Sequence, residues 1–146
     1  MVNKSWTITA DIEVPDDKTN GMIITHGGVE GGYGLYLRDS KPTFVYNYLG
    51  IERPTFTAKE ALPKGKTKLV VDFKYDGGGM GKGGTITLLA NGKKIGEVRV
   101  DKTAGFKYSL YEGQDIGEDS GSPVDFDYTP PFKFTGKIQK VTLELK

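Results

Sequence analysis

The sequence predicts an all-β sandwich, and three observations carry that prediction. Trp6, Ile8, Ala10, Ile12 and Val14 alternate with Ser5, Thr7, Thr9, Asp11 and Glu13, a strict period of two that makes one dry face on a strand. The pattern recurs in short segments divided by Gly-rich turns. No window keeps apolar residues at spacings of three and four for ten positions, so no long helix is expected.

The first strand is Trp6 to Val14, and a closing strand sets Val141, Leu143 and Leu145 between Thr142 and Glu144 after a turn-prone Gly136. Between them, strands are expected over Tyr33 to Arg38, Thr43 to Leu49, Lys66 to Tyr75, Gly84 to Ala90 and Lys94 to Val100. Asn91-Gly92, flanked by Thr87-Leu88-Leu89 and Ile95-Gly96-Glu97-Val98, predicts a two-residue hairpin turn because both positions of such a turn need positive φ. Thr57 to Leu62 is the best helical segment, but Pro63 closes it, leaving at most one short turn.

At 146 residues the chain accommodates one ordinary core, so residues 1–146 are expected to form a single domain. There is no fixed-period repeat and no interdomain linker. Twenty Lys and Arg stand against nineteen Asp and Glu, a formal charge of +1, so no global field attracts nucleic acid or an anionic membrane. No stretch approaches the roughly 18 apolar residues of a spanning helix, and neither a nucleic-acid nor a membrane partner is expected. The absence of cysteine removes disulfides, thiolate metal sites and Cys nucleophiles, and leaves the compartment open.

Candidate chemistry is sparse. Gly77-Gly78-Gly79-Met80-Gly81-Lys82-Gly83-Gly84-Thr85 is rich in glycine, yet Lys82 is followed by Gly83 and a strand-like Thr85-Ile86-Thr87-Leu88 rather than a helix. It reads as a strand connection, not a phosphate loop. His26, the only histidine, follows Met22-Ile23-Ile24-Thr25 and has no neighbouring Asp or Glu in a metal or triad arrangement, so a hydrogen-bonded strand-end residue is expected. Asp115, Glu118, Asp119, Asp125 and Asp127 form an oxygen-rich segment that could hold Ca²⁺ through carboxylates and carbonyls. Its spacing is not that of an EF-hand, and structural turns are favoured, with no other cofactor expected.

Tyr33, Tyr36, Phe44, Tyr46 and Tyr48 cluster with Arg38, Asn47 and Arg53. Alternation puts Phe44, Tyr46 and Tyr48 on one face of a strand, and Val45, Asn47 and Leu49 on the other. An exposed face would offer Tyr33, Arg38, Tyr46, Asn47, Tyr48 and Arg53 to a glycan, the rings stacking on sugar and the polar groups bonding its hydroxyls. The favoured alternative is an inner sandwich face with Tyr hydroxyls at the rim.

The stretches Asn3 to Ala10, Gly31-Gly32-Tyr33-Gly34-Leu35-Tyr36, Tyr46-Asn47-Tyr48-Leu49-Gly50, Asp76-Gly77-Gly78-Gly79 with Gly81-Lys82-Gly83-Gly84, Gly117 to Val124, and Pro131 to Ile138 together resemble the C-terminal region of bacterial arylsulfatases. That region is similar to the concanavalin A-like jelly-roll sandwiches of lectins and laminin G domains. The resemblance implies a two-sheet antiparallel jelly roll that packs on a catalytic sulfatase domain, in cis or in trans. It also implies a periplasmic or secreted location if the chain follows such a parent. A sulfatase needs a Cys or Ser in a Cys/Ser-x-Pro-x-Arg context, and Ser40-Lys41-Pro42-Thr43-Phe44 lacks the Arg, so no catalysis is expected. The alternative function is an autonomous module binding sulfated or neutral carbohydrate. A glucanase is disfavoured because no Glu-x-Asp-x-x-Glu run occurs.

Overall fold

The computed structural model describes residues 5–28, 31–48, 54–77, 82–102, 114–117 and 132–145. The N-terminal strand β1 (Trp6–Val14) shows the burial alternation that its sequence predicts. Its inward row, Trp6, Ile8, Ala10, Ile12 and Val14, is at most 1% exposed, while Thr7, Thr9, Asp11 and Glu13 are only partly buried on the other face. β1 is central because both neighbours pair with it antiparallel. These are β6 (Gly65–Tyr75) and the closing strand β10 (Lys137–Leu145). With β7 (Lys82–Ala90) and β8 (Lys93–Lys102) the sheet order is β10-β1-β6-β7-β8.

The second sheet is built from β2 (Gly21–Gly28), β3 (Gly31–Arg38), β4 (Lys41–Asn47), β5 (Thr55–Thr57) and β9 (Gln114–Ile116), in the order β5-β4-β3-β2-β9. Every strand pairing in both sheets is antiparallel. The architecture is the expected all-β, two-sheet jelly-roll sandwich, with no helix among the described residues. Thr57 to Leu62 makes no helical turn; it leaves β5 through a bend at Lys59 and Glu60. Lys82 opens β7, so the glycine-rich segment leads into a strand.

Trp6, the first residue of β1, is fully buried in the core. Its ring centroid lies 5.2 Å from Phe73 in its own sheet, and 5.8 Å from Tyr33 and 6.0 Å from Phe44 in the facing sheet. The sheets also touch at the β5/β8 side. Phe56, which pairs with Phe44 across β4 and β5, fills the space that a Cβ on Gly96 would need.

Two turns explain local registers. Asn91 and Gly92 join β7 to β8 with φ of 51° and 84°, both positive as a type I′ turn requires. Asn91 N–H donates to the Lys68 carbonyl at 2.9 Å, and Asn91 Oδ1 accepts Lys68 N–H at 2.9 Å, so the turn is also tied to β6. Asp39 and Ser40 join β3 to β4 with φ of 49° and 60° and without a glycine. Neighbouring segments over-determine that strained conformation. Ser40 N–H donates to Thr19 O at 2.7 Å, Ser40 Oγ donates to Asp16 O at 2.6 Å, and Asp39 N–H donates to Asn20 Oδ1 at 2.9 Å.

The dry face expected of the closing strand is corrected in part. Leu143 stands opposite the fully buried Ile8, yet it is 37% exposed. β10 is the outermost strand of its sheet, and β9, which lies at the same side of the facing sheet, is only three residues long.

The alternation on β1 yields a direct test by chemical denaturation. Ile8→Ala removes most of a fully buried side chain and is expected to cost about 2–5 kcal/mol. Thr9→Ala, one residue along on the outer face, should stay within about 0.5 kcal/mol. Similar losses for the two variants would contradict the register.

Candidate functional site

The structure divides the aromatic cluster singled out in the sequence between two faces of one sheet. Tyr33 pairs with Tyr46, and Leu35 with Phe44. All four point into the sandwich and are at most 1% exposed. Tyr33 and Tyr46 are therefore corrected from glycan-stacking candidates to core residues: a ring enclosed between sheets presents no face to a sugar. Burial pushes the Tyr33 hydroxyl well above the ordinary tyrosine range. Tyr48, just beyond β4, packs half-buried at the margin of the same core.

Asn47 lies on the opposite face of β4, paired with Gly32, and is fully buried. That face forms a second apolar cluster in which Met22, Tyr36 and Val45 are fully buried and Phe132 packs against them. The Phe132 ring meets Tyr36 edge-on at 5.6 Å, and the Arg38 guanidinium sits 5.6 Å from the centre of the same ring. Met22 N–H donates to the Phe132 carbonyl at 3.0 Å, fixing this cover to β2. Arg38 thus packs with the cover rather than with Tyr33 and Tyr46. Arg53 lies outside the described residues.

Of the acidic segment, Asp115 belongs to β9, where it pairs with Thr25. Glu118, Asp119, Asp125 and Asp127 lie outside the described residues. No group of three or more His, Asp or Glu side chains suited to a metal ion occurs among the described residues. His26 sits near the end of β2 as expected and stacks on Tyr33, ring centroids 5.9 Å apart and nearly parallel.

Two grooves meet at the Asn91 turn, and neither was visible as a sequence motif. One, of about 420 Å³, lies beside β1, β6 and β10 and is rimmed by Asp11, Lys66, Lys68 and Lys140. The other, of about 490 Å³, opens between the segment following β5 and the β7–β8 hairpin. Phe56, Pro63, Ala90 and Ile95 give the second groove an apolar floor, and Thr57, Lys59, Glu60, Asn91, Lys93 and Lys94 give it a polar rim. Lys94 Nζ donates to Glu97 Oε2 at 2.8 Å. Lys59 and Lys93 are exposed and have no carboxylate partner among the described residues. An aromatic floor beside unpaired ammonium groups can hold the apolar face of a small ring and bind an anionic substituent on it.

No family model and no curated protein matches the sequence. Among solved structures, the carbohydrate-binding module CBM40 of the Ruminococcus gnavus IT-sialidase bound to α2,3 sialyllactose aligns at 16% identity and TM-score 0.66, covering 96% of this chain and 75% of that one. Domains LG4-5 of the mouse laminin α1 chain align at 13% identity and TM-score 0.69, covering 98% of this chain and 37% of theirs. Sheep galectin-11 aligns at 8% identity and TM-score 0.54, covering 96% and 89%. These likenesses establish the fold as a concanavalin A-like jelly roll of the lectin and laminin G kind. The arylsulfatase part of the sequence resemblance has no counterpart in these three structures.

The half-buried His26 gives a pH test. Burial holds its imidazole below the ordinary value of 6.5, so as pH falls the unfolded chain takes up the proton before the folded chain does. His26 therefore leaves stability unchanged above 6.5 and lowers it progressively as the pH falls from there to the folded value, below which its effect levels off. The melting temperature of the wild type should decline more steeply just below pH 6.5 than that of His26→Asn. Parallel declines would show that the histidine is not the group responsible.

Proposed function

We propose that this domain is a non-catalytic carbohydrate-binding module whose ligand carries carboxylate or sulfate groups. The observation that carries the proposal is the groove floored by Phe56 and rimmed by Lys59 and Lys93. A sugar has an apolar face of C–H groups that can lie on an aromatic ring, and hydroxyls that need partners at its edge. Thr57 and Glu60 stand at that edge. The Asn91 side-chain oxygen is taken by Lys68 N–H, which leaves its NH₂ as a donor. The two lysines add charge-assisted bonds to an anionic substituent, stronger than neutral ones.

The fold likeness supports this reading, since two of the neighbours are a carbohydrate-binding module bound to sialyllactose and a galectin. The other reading, an accessory domain packing on a sulfatase catalytic domain, is supported by the sequence motifs alone. The two make different demands on the isolated chain, because only the first needs it to bind a glycan unaided.

A glycan array spanning neutral, carboxylated and sulfated sugars, followed by calorimetric titration of the best ligand, tests the proposal. Acidic glycans are expected to bind. Lys59→Glu and Lys93→Glu should each weaken that binding about tenfold, the effect of losing roughly one charge-assisted hydrogen bond at a partly exposed site. Binding of no glycan, or binding indifferent to both substitutions, would remove the groove from consideration.

A further inference from the structure

We infer that the domain self-associates through β10, forming a two-fold dimer in which the β10 strands of two copies pair antiparallel. Among the described residues β10 pairs with β1 alone, and none of them meets the backbone donors and acceptors along its far edge. Leu143 and Ile116 are the only large hydrophobic side chains that stand exposed among the described residues. Both belong to strands at this side of the sandwich: Leu143 to β10, and Ile116 to β9, the edge of the facing sheet. A Cβ placed on Gly117, next to Ile116, would lie 3.8 Å from Ile138 of β10.

The side chains of β10 select one register. Lys140 and Thr142 stand opposite Asp11 and Thr9 of β1, and Glu144 opposite Thr7, so all three share the outer face. Val141 and Leu143 stand opposite Ala10 and Ile8 and share the inner face. Pairing two copies about a two-fold axis through Thr142 sets Lys140 opposite Glu144 of the second copy. The same contact is repeated on the other side of the axis. Val141 then meets Leu143 of the second copy on the inner face, extending the dry layer over the exposed leucine. A slip of one residue would put the two faces out of step. A slip of two residues sets Lys140 or Glu144 against Thr142, and neither arrangement pairs opposite charges. Lys140 also faces Asp11 of β1, but only this alignment sets it against Glu144 of a second copy as well, and a contact repeated about a two-fold axis favours a closed pair over open-ended stacking.

The opposite edge does not invite the same contact. Along β8, Arg99 is already committed to Asp76 through Nη1 and Nη2, and Lys94 to Glu97. Lys93 and Asp101 add exposed charge there, the usual defence of an edge strand.

Sedimentation equilibrium over rising protein concentration tests the inference on the chain as it stands. A monomer–dimer equilibrium is expected. Lys140→Glu and Glu144→Lys each turn two attractive cross-strand pairs into repulsive ones, so each should raise the dimer dissociation constant about tenfold. The double variant carrying both changes should return it to within a few-fold of the wild type. Cooperative melting of both single variants would confirm that they fold, Lys140→Glu at a somewhat lower temperature because residue 140 faces Asp11 within its own sheet. A monomer at millimolar concentration, a dimer insensitive to the single changes, or a double variant that fails to recover would each overturn the proposal.

Discussion

Trp6 is the side chain on which the two sheets meet. It leads the inward row of β1, and its indole touches Phe73 beside it and Tyr33 and Phe44 across the sandwich. Aromatic pairs at such separations add to the hydrophobic gain of removing each ring from water. Their placement also sets the register in which the facing sheets pack. Once Trp6 is seated, the period of two along β1 puts Ile8, Ala10, Ile12 and Val14 on the same dry face. The strand can then accept β6 on one side and β10 on the other. The first and last described strands are thereby neighbours, which leaves β10 as an edge.

What the sequence revealed follows from this division between one wet and one dry face. β1 was legible because its two faces differ, and Asn91-Gly92 because few residues tolerate positive φ at both turn positions. β4 was harder. From Pro42 to Asn47 every side chain is buried, because the core covers one face of the strand and the layer containing Phe132 lies on the other. Alternation correctly separated Phe44 and Tyr46 from Val45 and Asn47, but it carries no information on which face stays wet when neither does. The Asp39-Ser40 turn lacked a glycine cue because contacts from Asp16, Thr19 and Asn20 hold the strained backbone in place. β5 and β9, at three residues each, are too short for a period to show.

The proposed binding groove was invisible for another reason. Its aromatic floor comes from β5, one lysine from the segment after it, and another from the start of β8. Nothing in the local spacing announces that folding brings position 59 beside position 93. The overall charge of +1 conceals this grouping as well, since a near-neutral chain can still gather unpaired cations at one end. Charge acts on a ligand through its local arrangement, and screening at physiological ionic strength restricts it to about 8 Å.

The fit of Phe56 over Gly96 ties this end of the sandwich to its own history. Since a methyl group on residue 96 would fall on the ring, the two positions are not free to vary independently. A lineage that lost the ring at 56 could then accept a side chain at 96, whereas one that gained a side chain at 96 first would push the ring aside. That ring is also the proposed floor of the groove. Drift at a glycine that touches no ligand would thus be recorded as a change in what the domain binds, and correlated substitutions at 56 and 96 among related chains would mark where specificity diverged.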